Sequence, residues 1–494
     1  MYFPEKEVFA QKAKPGFLIP VYKEVEIGEE NPFTAYLKIK EGDYSFLLES
    51  GRVDGKLGCF SFVGSKPFVA VRSKGFTTQL FYNDGRKETV EGQPLEVLKQ
   101  VMSQYPGVRT EGMGLPLFYG GAVGHLSYDM GRFFEELPED TEDDLQIPEL
   151  YFMLVDAVVI FDHLRGKLQL VANVKVEDDL DKAYNEGIAK IEALEEKLSK
   201  KVDWKPFILP ENPHLADIPI ESNFTKEAFE AGVEKIVEYI KAGDVFQVNF
   251  SQRLATPITV DPLVIYEVMR KINPSPFGGF LEYGEMQIVS CSPERLIRLE
   301  NGQATTRPIA GTRPRGKNQE EDLALEDELI NNIKERAEHI MLVDLERNDL
   351  GRACVYGTVQ VDELMIIERY SHVMHIVSNV VGELDEDKDC FDLTRACFPG
   401  GTITGAPKIR CMEIIEEVEP VRRGPYTGSF GYYNFAGDMD LNIIIRTIVV
   451  KDGKAYAQAG AGIVYDSQPE KEYYETLYKA EAMLKSIKIV EGGK

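Results

Sequence analysis

Tryptophan occurs once in 494 residues, and histidine and cysteine six times each. The cysteines, at 59, 291, 354, 390, 397 and 411, never form a C-x-x-C pair. That argues against a zinc site or a disulfide frame and for reduced thiols, so a cytoplasmic location is expected. No apolar run is long enough to span a bilayer. The stretch from Tyr151 to Phe161, interrupted by Asp156, reads as one buried strand. The opening MYFPEKEVFAQKAK has no apolar h-region, so no signal peptide is expected. Positive charge is also scarce: 56 Lys and Arg face 82 Asp and Glu, a net charge of -26. A field of that sign disfavours nucleic acid and anionic membranes. An anionic ligand therefore needs a locally positive pocket or a metal ion. There is no internal repeat and no low-complexity tract.

What is present is an ordinary globular composition, 43% hydrophobic and 28% charged, in a chain too long for one ordinary core. A proline-rich linker, WKPFILPENPHLADIPIESNF, divides it at 204–224. The expected organisation is an N-terminal region, 1–203, and a second region, 225–490. The first is rich in strand-like runs (YSFLLES, LGCFSFVG, FVAVRS, LYFMLVDAVVIF, LQLVANVKV) and closes on a helix at about 181–200. The second mixes strands such as VFQVNFSQRL and SHVMHIVSNVVGEL with long helices. One is expected from about Lys226 to Lys241, capped by Thr225 and stapled by Phe224 and Phe229; another covers about 320–341. Strands and helices do not alternate regularly, which favours α+β over a doubly wound sheet.

Two helical segments each set two carboxylates three residues apart, Glu335 with Glu338 and Glu472 with Glu475. Residues three apart share a helix face. Two such faces turned together make a cage of hard oxygens suited to Mg²⁺. Lys479 extends the second stripe, which as a lone feature reads equally as a solvated Glu-to-Lys pair. FPGGTITGAPKIR leads from a glycine-rich loop into a helix with Pro407 in its first turn; it is either an anion cradle or a plain capping loop. It lacks the G-K-[ST] ending of a nucleotide-binding loop. Gly460 and Gly462 end a strand where a ligand can approach the backbone, or where a bulge sits. Ser467 and Glu470 are spaced as a capping box for the helix that follows.

Six segments in series resemble the chorismate-utilising enzymes: PIAGTRPRG (308–316), EHIMLVDLERNDLGR (338–352), FPGGTITGAPK (398–408), GPYTGSFGYY (424–433), NIIIRT (442–447) and QAGAGIVYDSQPEKEYYETLYKA (458–480). The resemblance implies an α+β fold of two large antiparallel sheets packed as a sandwich with helices outside. It implies chorismate as substrate and Mg²⁺ held by Glu335, Glu338, Glu472 and Glu475. It further implies Thr312, Tyr426, Arg446, Gly460 and Gly462 as substrate-binding positions. Thr402 and Lys479 fall at catalytic positions beside the substrate. Glu294, in SPER, matches the acid that assists loss of the 4-hydroxyl as water, and His375 the histidine linked to pyruvate elimination.

Within the family, isochorismate and salicylate synthases need a lysine base to activate water. Gln247 stands there, and an amide cannot take a proton at neutral pH, so ammonia is the expected nucleophile. Ala310 occupies the position of the ring-attacking lysine of many aminodeoxychorismate synthases. NPFTAYLKI and YSFLLES resemble the N-terminal region of the anthranilate-forming branch, where that segment lines a pocket for L-tryptophan. The implied inhibitor positions are Glu49, Ser50, Asn273, Pro274, Phe277 and Gly278. Phe277 and Gly278 depart from the usual Tyr-Met and look more like aminodeoxychorismate synthases, which form the alternative reading beside a non-catalytic sensing subunit on the same fold. No glutaminase signature is present, so ammonia is expected from a separate glutamine amidotransferase subunit, in a hetero-oligomer.

Overall fold

The Tyr151–Phe161 run forms two strands, Leu150–Val155 and Ala157–Asp162, and they lie in different sheets. Along the first, Tyr151 and Met153 face the interior between the sheets, while Phe152 and Leu154 pack outward under helices. The second repeats the pattern, with Val158 and Ile160 inward and Val159 and Phe161 outward. Successive strand side chains point to opposite faces, so a strand covered on both sides must be apolar at every position. That is why the run is continuous and why its reading as one strand fails. Asp156 marks the crossing: its carbonyl accepts from Asn173 N at 2.6 Å and its carboxylate pairs with Lys190 at 2.8 Å.

We analysed a computed structural model that describes residues 1–50, 59–369 and 373–493. The first residues of the LGCFSFVG and SHVMHIVSNVVGEL runs, 57–58 and 371–372, lie outside the described residues. The fold is α+β, as expected. Among the described residues one antiparallel sheet has thirteen strands and the other twelve. Both sheets run across the 204–224 division. In the first, Tyr44–Glu49 pairs with Phe277–Tyr283, Glu49 lying opposite Gly278. In the second, Gly121–Leu126 pairs with Ser429–Asn434. The linker lies over the first sheet's helical layer, where Trp204 and Phe207 join its hydrophobic cluster and Phe207 N donates to Glu267 at 3.0 Å.

Helices cover both outer faces. Leu180–Ser199, Pro262–Ile272 and Pro469–Gly492 lie on the first sheet. Pro94–Ser103, Cys390–Cys397 and Ile333–Gly351 lie on the second. Lys226–Ala242 starts as expected, Thr225 Oγ1 accepting from Ala228 N at 3.1 Å and the Phe224 and Phe229 rings meeting at 5.7 Å. The helix expected over 320–341 is instead two, Gln319–Asn331 and Ile333–Gly351. Asn332 ends the first and caps the second, its Oδ1 accepting from Lys334 N and Glu335 N at 3.1 Å each. Asparagine's short amide competes with helical backbone bonds and favours caps. No helix among the described residues is long and apolar enough to cross a membrane.

Phe46 is fully buried between the sheets, edge-on to Phe118. Phe46→Ala is expected to lower stability by about 3–5 kcal/mol, read as a shifted urea midpoint at unchanged slope; a loss under about 1 kcal/mol would mean the sandwich interior closes around the gap.

Candidate active site

The break at Asn332 sets Glu335 in the first turn of its helix, where a negative charge is favoured, and Glu338 one turn on. Facing them is the helix Pro469–Gly492, which carries Glu472, Glu475 and Lys479. Its N-cap is Gln468, so the expected Ser467–Glu470 capping box is not formed. Ser467 lies one residue too early; its hydroxyl accepts from Val464 N at 3.0 Å and bonds to Glu472.

Between these helices is a cavity of about 650 Å³. Its wall includes Glu294, Thr312, Glu335, Glu338, Thr402, Tyr426, Arg446, Gly460, Gly462, Glu472, Glu475 and Lys479. Every expected catalytic, substrate and metal residue therefore lines one cavity except His375. That side chain stands behind the wall, its Nδ1 3.0 Å from Thr312 Oγ1 and 3.2 Å from Gly311 O. Burial pushes its imidazole below the usual range.

The four glutamates share the cavity but do not converge as a finished cage. Among the described residues no three His, Cys, Asp or Glu side chains are grouped as a metal shell. Two of the four take a cationic neighbour: Glu335 pairs with Arg313 at 3.0 Å and Glu475 with Lys479 at 2.7 Å. Glu338 and Glu472 keep only weak polar partners. Burial, with Glu335 and Glu475 alongside them, holds their carboxyls above the ordinary range. The pair of pairs thus carries hard oxygens and uncompensated negative charge, the donor chemistry of a Mg²⁺ site.

The opposite wall is cationic and donor-rich. Arg446 sits with φ +51, a conformation uncommon outside glycine, and its guanidinium donates to the Lys479 carbonyl. A backbone outlier at a ligand-facing residue is a common mark of a functional position. The Lys479 ammonium also reaches the Gly460 carbonyl at 3.1 Å. The strand Lys454–Ile463 keeps unbroken register with Gln247–Pro257, so Gly460 and Gly462 form no bulge. Their role is space: a Cβ on Gly460 would stand 2.4 Å from Asn249 Oδ1 and 2.9 Å from the Tyr426 hydroxyl. The FPGGTITGAPK loop gives Thr402 and Ile403 to the wall, but the N-terminus of helix Lys408–Val418 gives nothing, so the anion-cradle reading fails. Pro407 is the N-cap, before the first turn.

Glu294 is almost fully buried, and desolvation lifts its carboxyl to about 7. Thr402, whose hydroxyl is also buried, is the one neighbour that opposes the rise. A carboxyl half-protonated near neutrality can give a proton to a leaving oxygen.

The expected inhibitor positions only partly come together. A second cavity, of about 480 Å³, is lined by Glu49, Ser50, Phe277 and Gly278. Asn273 and Pro274 are not in its wall; Asn273 ends the preceding helix. The Glu49 carboxylate is already engaged, accepting from Tyr266 at 3.0 Å and pairing with Arg270 at 2.6 Å, so it offers no free charge to an ammonium group. The charged side chains of this cavity are Arg295, held bidentately by Asp440, with Arg298 and Glu300. Glu294 and Arg295 are consecutive, yet one lines the first cavity and the other the second. Sequence reasoning missed Asn249 and Gln458, which also line the first cavity; the alternation Gln247, Asn249, Ser251 in VFQVNFSQR was the available signal.

Glu294 binds its proton more tightly folded than unfolded, so its ionisation destabilises the fold as pH rises through about 7. Glu294→Gln is expected to be neutral at pH 4.5 and to stabilise by up to about 3 kcal/mol at pH 8, by urea denaturation. Equal effects at both pH values would mean the carboxyl titrates normally.

A family model described as chorismate binding enzyme matches residues 57–485. Anthranilate synthase component 1 of Acetivibrio thermocellus is 45% identical over 490 residues, covering 99% of each chain. Aminodeoxychorismate synthase component 1 of Bacillus subtilis is 42% identical over 480 residues, 96% of this chain and 98% of its own. The crystal structure of anthranilate synthase component I from Streptococcus pneumoniae TIGR4 superposes with a TM-score of 0.75 at 33% identity, covering 93% of this chain and 99% of that one. With the cavity's residues arranged as described, the match over most of its length means that this chain belongs to the chorismate-binding enzyme family.

Proposed function

We propose that this chain is an anthranilate-forming synthase subunit: it aminates chorismate at C2 with ammonia, expels the 4-hydroxyl as water and eliminates pyruvate. The observation that carries the reading is Glu294, a buried acid titrating near neutrality in the same cavity as Arg446 and the four glutamates. Arg446 and the Tyr426 hydroxyl, with the backbone opened by Gly460 and Gly462, hold one substrate carboxylate, which arginine's planar fork suits. Glu335, Glu338, Glu472 and Glu475 would hold Mg²⁺. When bound, that ion neutralises and orients the other carboxylate. Glu294 protonates the departing hydroxyl, and the new nitrogen substituent gives a proton back. Loss of the C2 proton and of the enolpyruvyl group then yields anthranilate and pyruvate. His375 acts at that stage from behind Thr312, while Lys479 and Thr402 fix the substrate between the two walls. Gln247 and Ala310 supply neither a base for water nor a nucleophile for the ring.

Residues 1–203 serve as the regulatory region, 204–224 as linker and 225–490 as the chorismate-binding region. The natural nitrogen source is a separate glutamine amidotransferase subunit in a cytoplasmic hetero-oligomer. L-tryptophan is the feedback inhibitor, bound in the second cavity against Ser50, Phe277 and Gly278. With Glu49 tied to Arg270, Asp440 to Arg295 and Glu300 to Arg298, its ammonium group meets backbone carbonyls instead.

Chorismate, ammonium and Mg²⁺ with the purified chain should release anthranilate and pyruvate in equal amounts, read by fluorescence and a coupled pyruvate assay. Glu338→Gln should cut turnover at least 100-fold with no loss in the unfolding midpoint. Aminodeoxychorismate accumulating without pyruvate would reverse the choice of branch, which Phe277, Gly278 and the Bacillus subtilis relative keep in view.

Millimolar L-tryptophan should inhibit the wild type, competing with chorismate. Ser50→Phe should abolish that inhibition at unchanged uninhibited kcat. No response in the wild type would remove the inhibitor assignment.

A further inference from the structure

Residues 247, 249, 251 and 253 of strand Gln247–Pro257 share one face of the sheet with 462, 460 and 458 of strand Lys454–Ile463. Gly462 lies opposite Asn249, and Gly460 opposite Ser251. Both glycines lack side chains, and the amides of Asn249 and Gln247 lie over them at the edge of the cavity. Three oxygens on this face, Gln247 Oε1, Asn249 Oδ1 and Gln458 Oε1, are buried and accept no hydrogen bond. Two of the amide orientations are fixed by what their nitrogens do. Gln247 Nε2 donates toward Glu338 Oε1 at 3.4 Å. Gln458 Nε2 donates to Ser251 Oγ at 2.9 Å, and that hydroxyl donates in turn to Glu419 at 2.8 Å. The Asn249 backbone is held on both sides, its N–H by Thr404 O at 2.9 Å and its carbonyl by Arg423 at 2.7 Å.

A row of buried acceptors needs a ligand that donates. Chorismate offers little: two carboxylates and an ether that only accept, and one hydroxyl. Ammonia has three N–H donors and one lone pair, and water has two donors. Resting on the amination reading above, we propose that the carboxamide oxygens of Gln247, Asn249 and Gln458 form a seat for ammonia, holding its N–H groups so that its lone pair faces the substrate ring. Glycines at 460 and 462 let the seat's own amides lie close over the strand, since a Cβ on Gly462 would stand 2.7 Å from the Gln247 amide nitrogen and one on Gly460 2.4 Å from Asn249 Oδ1. Three neutral oxygens select a small donor without adding charge to a wall that must also accept a dianion. Asn249 and Gln458 are thus nucleophile-positioning residues.

The test compares two Michaelis constants in one assay, with ammonium chloride as nitrogen source. Asn249→Leu and Gln458→Met remove an acceptor at nearly constant volume. Each should raise KM for ammonium at least tenfold and leave KM for chorismate within twofold. A general loosening of the site moves both constants together, and that result overturns the seat, as does an unchanged ammonium constant. A measurement on the wild type covers the case in which neither variant folds. Methylammonium, with one N–H replaced by methyl, should be used with less than a tenth of the kcat/KM of ammonium, and equal use overturns the seat. A wild type that forms no aminated product ends both this inference and the function it rests on. A wild type that aminates normally beside unshifted variants ends the seat alone.

Discussion

A single buried ion pair ties together the elements that make the active-site wall. Arg423 and Glu419 are both almost fully buried and meet bidentately, at 2.9 and 2.7 Å. The remaining guanidinium hydrogens reach Ile403 O at 3.1 Å and Asn249 O at 2.7 Å. The carboxylate also takes the Ser251 N–H at 2.9 Å. One arginine thus fixes the loop bearing Thr402, the strand bearing Gln247 and Asn249, and the turn that leads to Tyr426. Charges taken out of water repay their desolvation only when every lone pair and hydrogen is used, and breaking such a pair costs about 3–5 kcal/mol. Here the contacts beyond the pair itself, to Ile403, Asn249 and Ser251, run to elements of the cavity. The pair does little that a hydrophobic plug could not do for stability; what it fixes is relative position.

Much of the site was legible in the chain because its chemistry is written in rare residue types at fixed spacing. Paired glutamates one helical turn apart and glycines where a ligand needs backbone are local patterns, and they survive folding unchanged; Arg446, Tyr426 and Glu294 were reached only through the resemblance of longer motifs. What escaped depends on partners distant in sequence. Nothing near Glu49 announces Arg270 and Tyr266, which consume its charge. Nor does any motif place His375 behind Thr312: only the cross-strand register of Ile309–Pro314 with Val373–Glu383 does that. Asn273 and Pro274 follow the same logic, adjacent in the chain to the second cavity but turned away from it. The fold class was readable from irregular alternation of strands and helices. The assignment of strands to sheets was not, because a strand buried on both faces has no alternation to read, as Leu150–Val155 and Ala157–Asp162 show.

The charge of the molecule and the charge of its substrate conflict, and the cavity resolves this by division. Negative side chains gather on the first turns of the two helices, and Arg446 and the donor groups lie across the cavity with Lys479, which reaches from the second helix toward the glycine strand. A dianion spanning the gap would meet Arg446 and Lys479 at one end and, at the other, the carboxylates proposed to hold a cation. The helix pair is therefore unsuited to bare chorismate, and the acid at Glu294 holds its proton more tightly than a free carboxyl because burial disfavours its charge.

The dipeptide Glu294–Arg295 carries the last consequence. Its two side chains belong to opposite rooms of the building, and the peptide bond between them is the party wall. Arg295 is braced by Asp440 and lies over the Phe277 ring at 5.3 Å. A guest in the second room that displaced this brace would pull on the backbone that aims the acid in the first. The influence runs both ways with equal strength, because linkage between two binding events is reciprocal. Two rooms sharing one stud need no long corridor of side chains to hear each other.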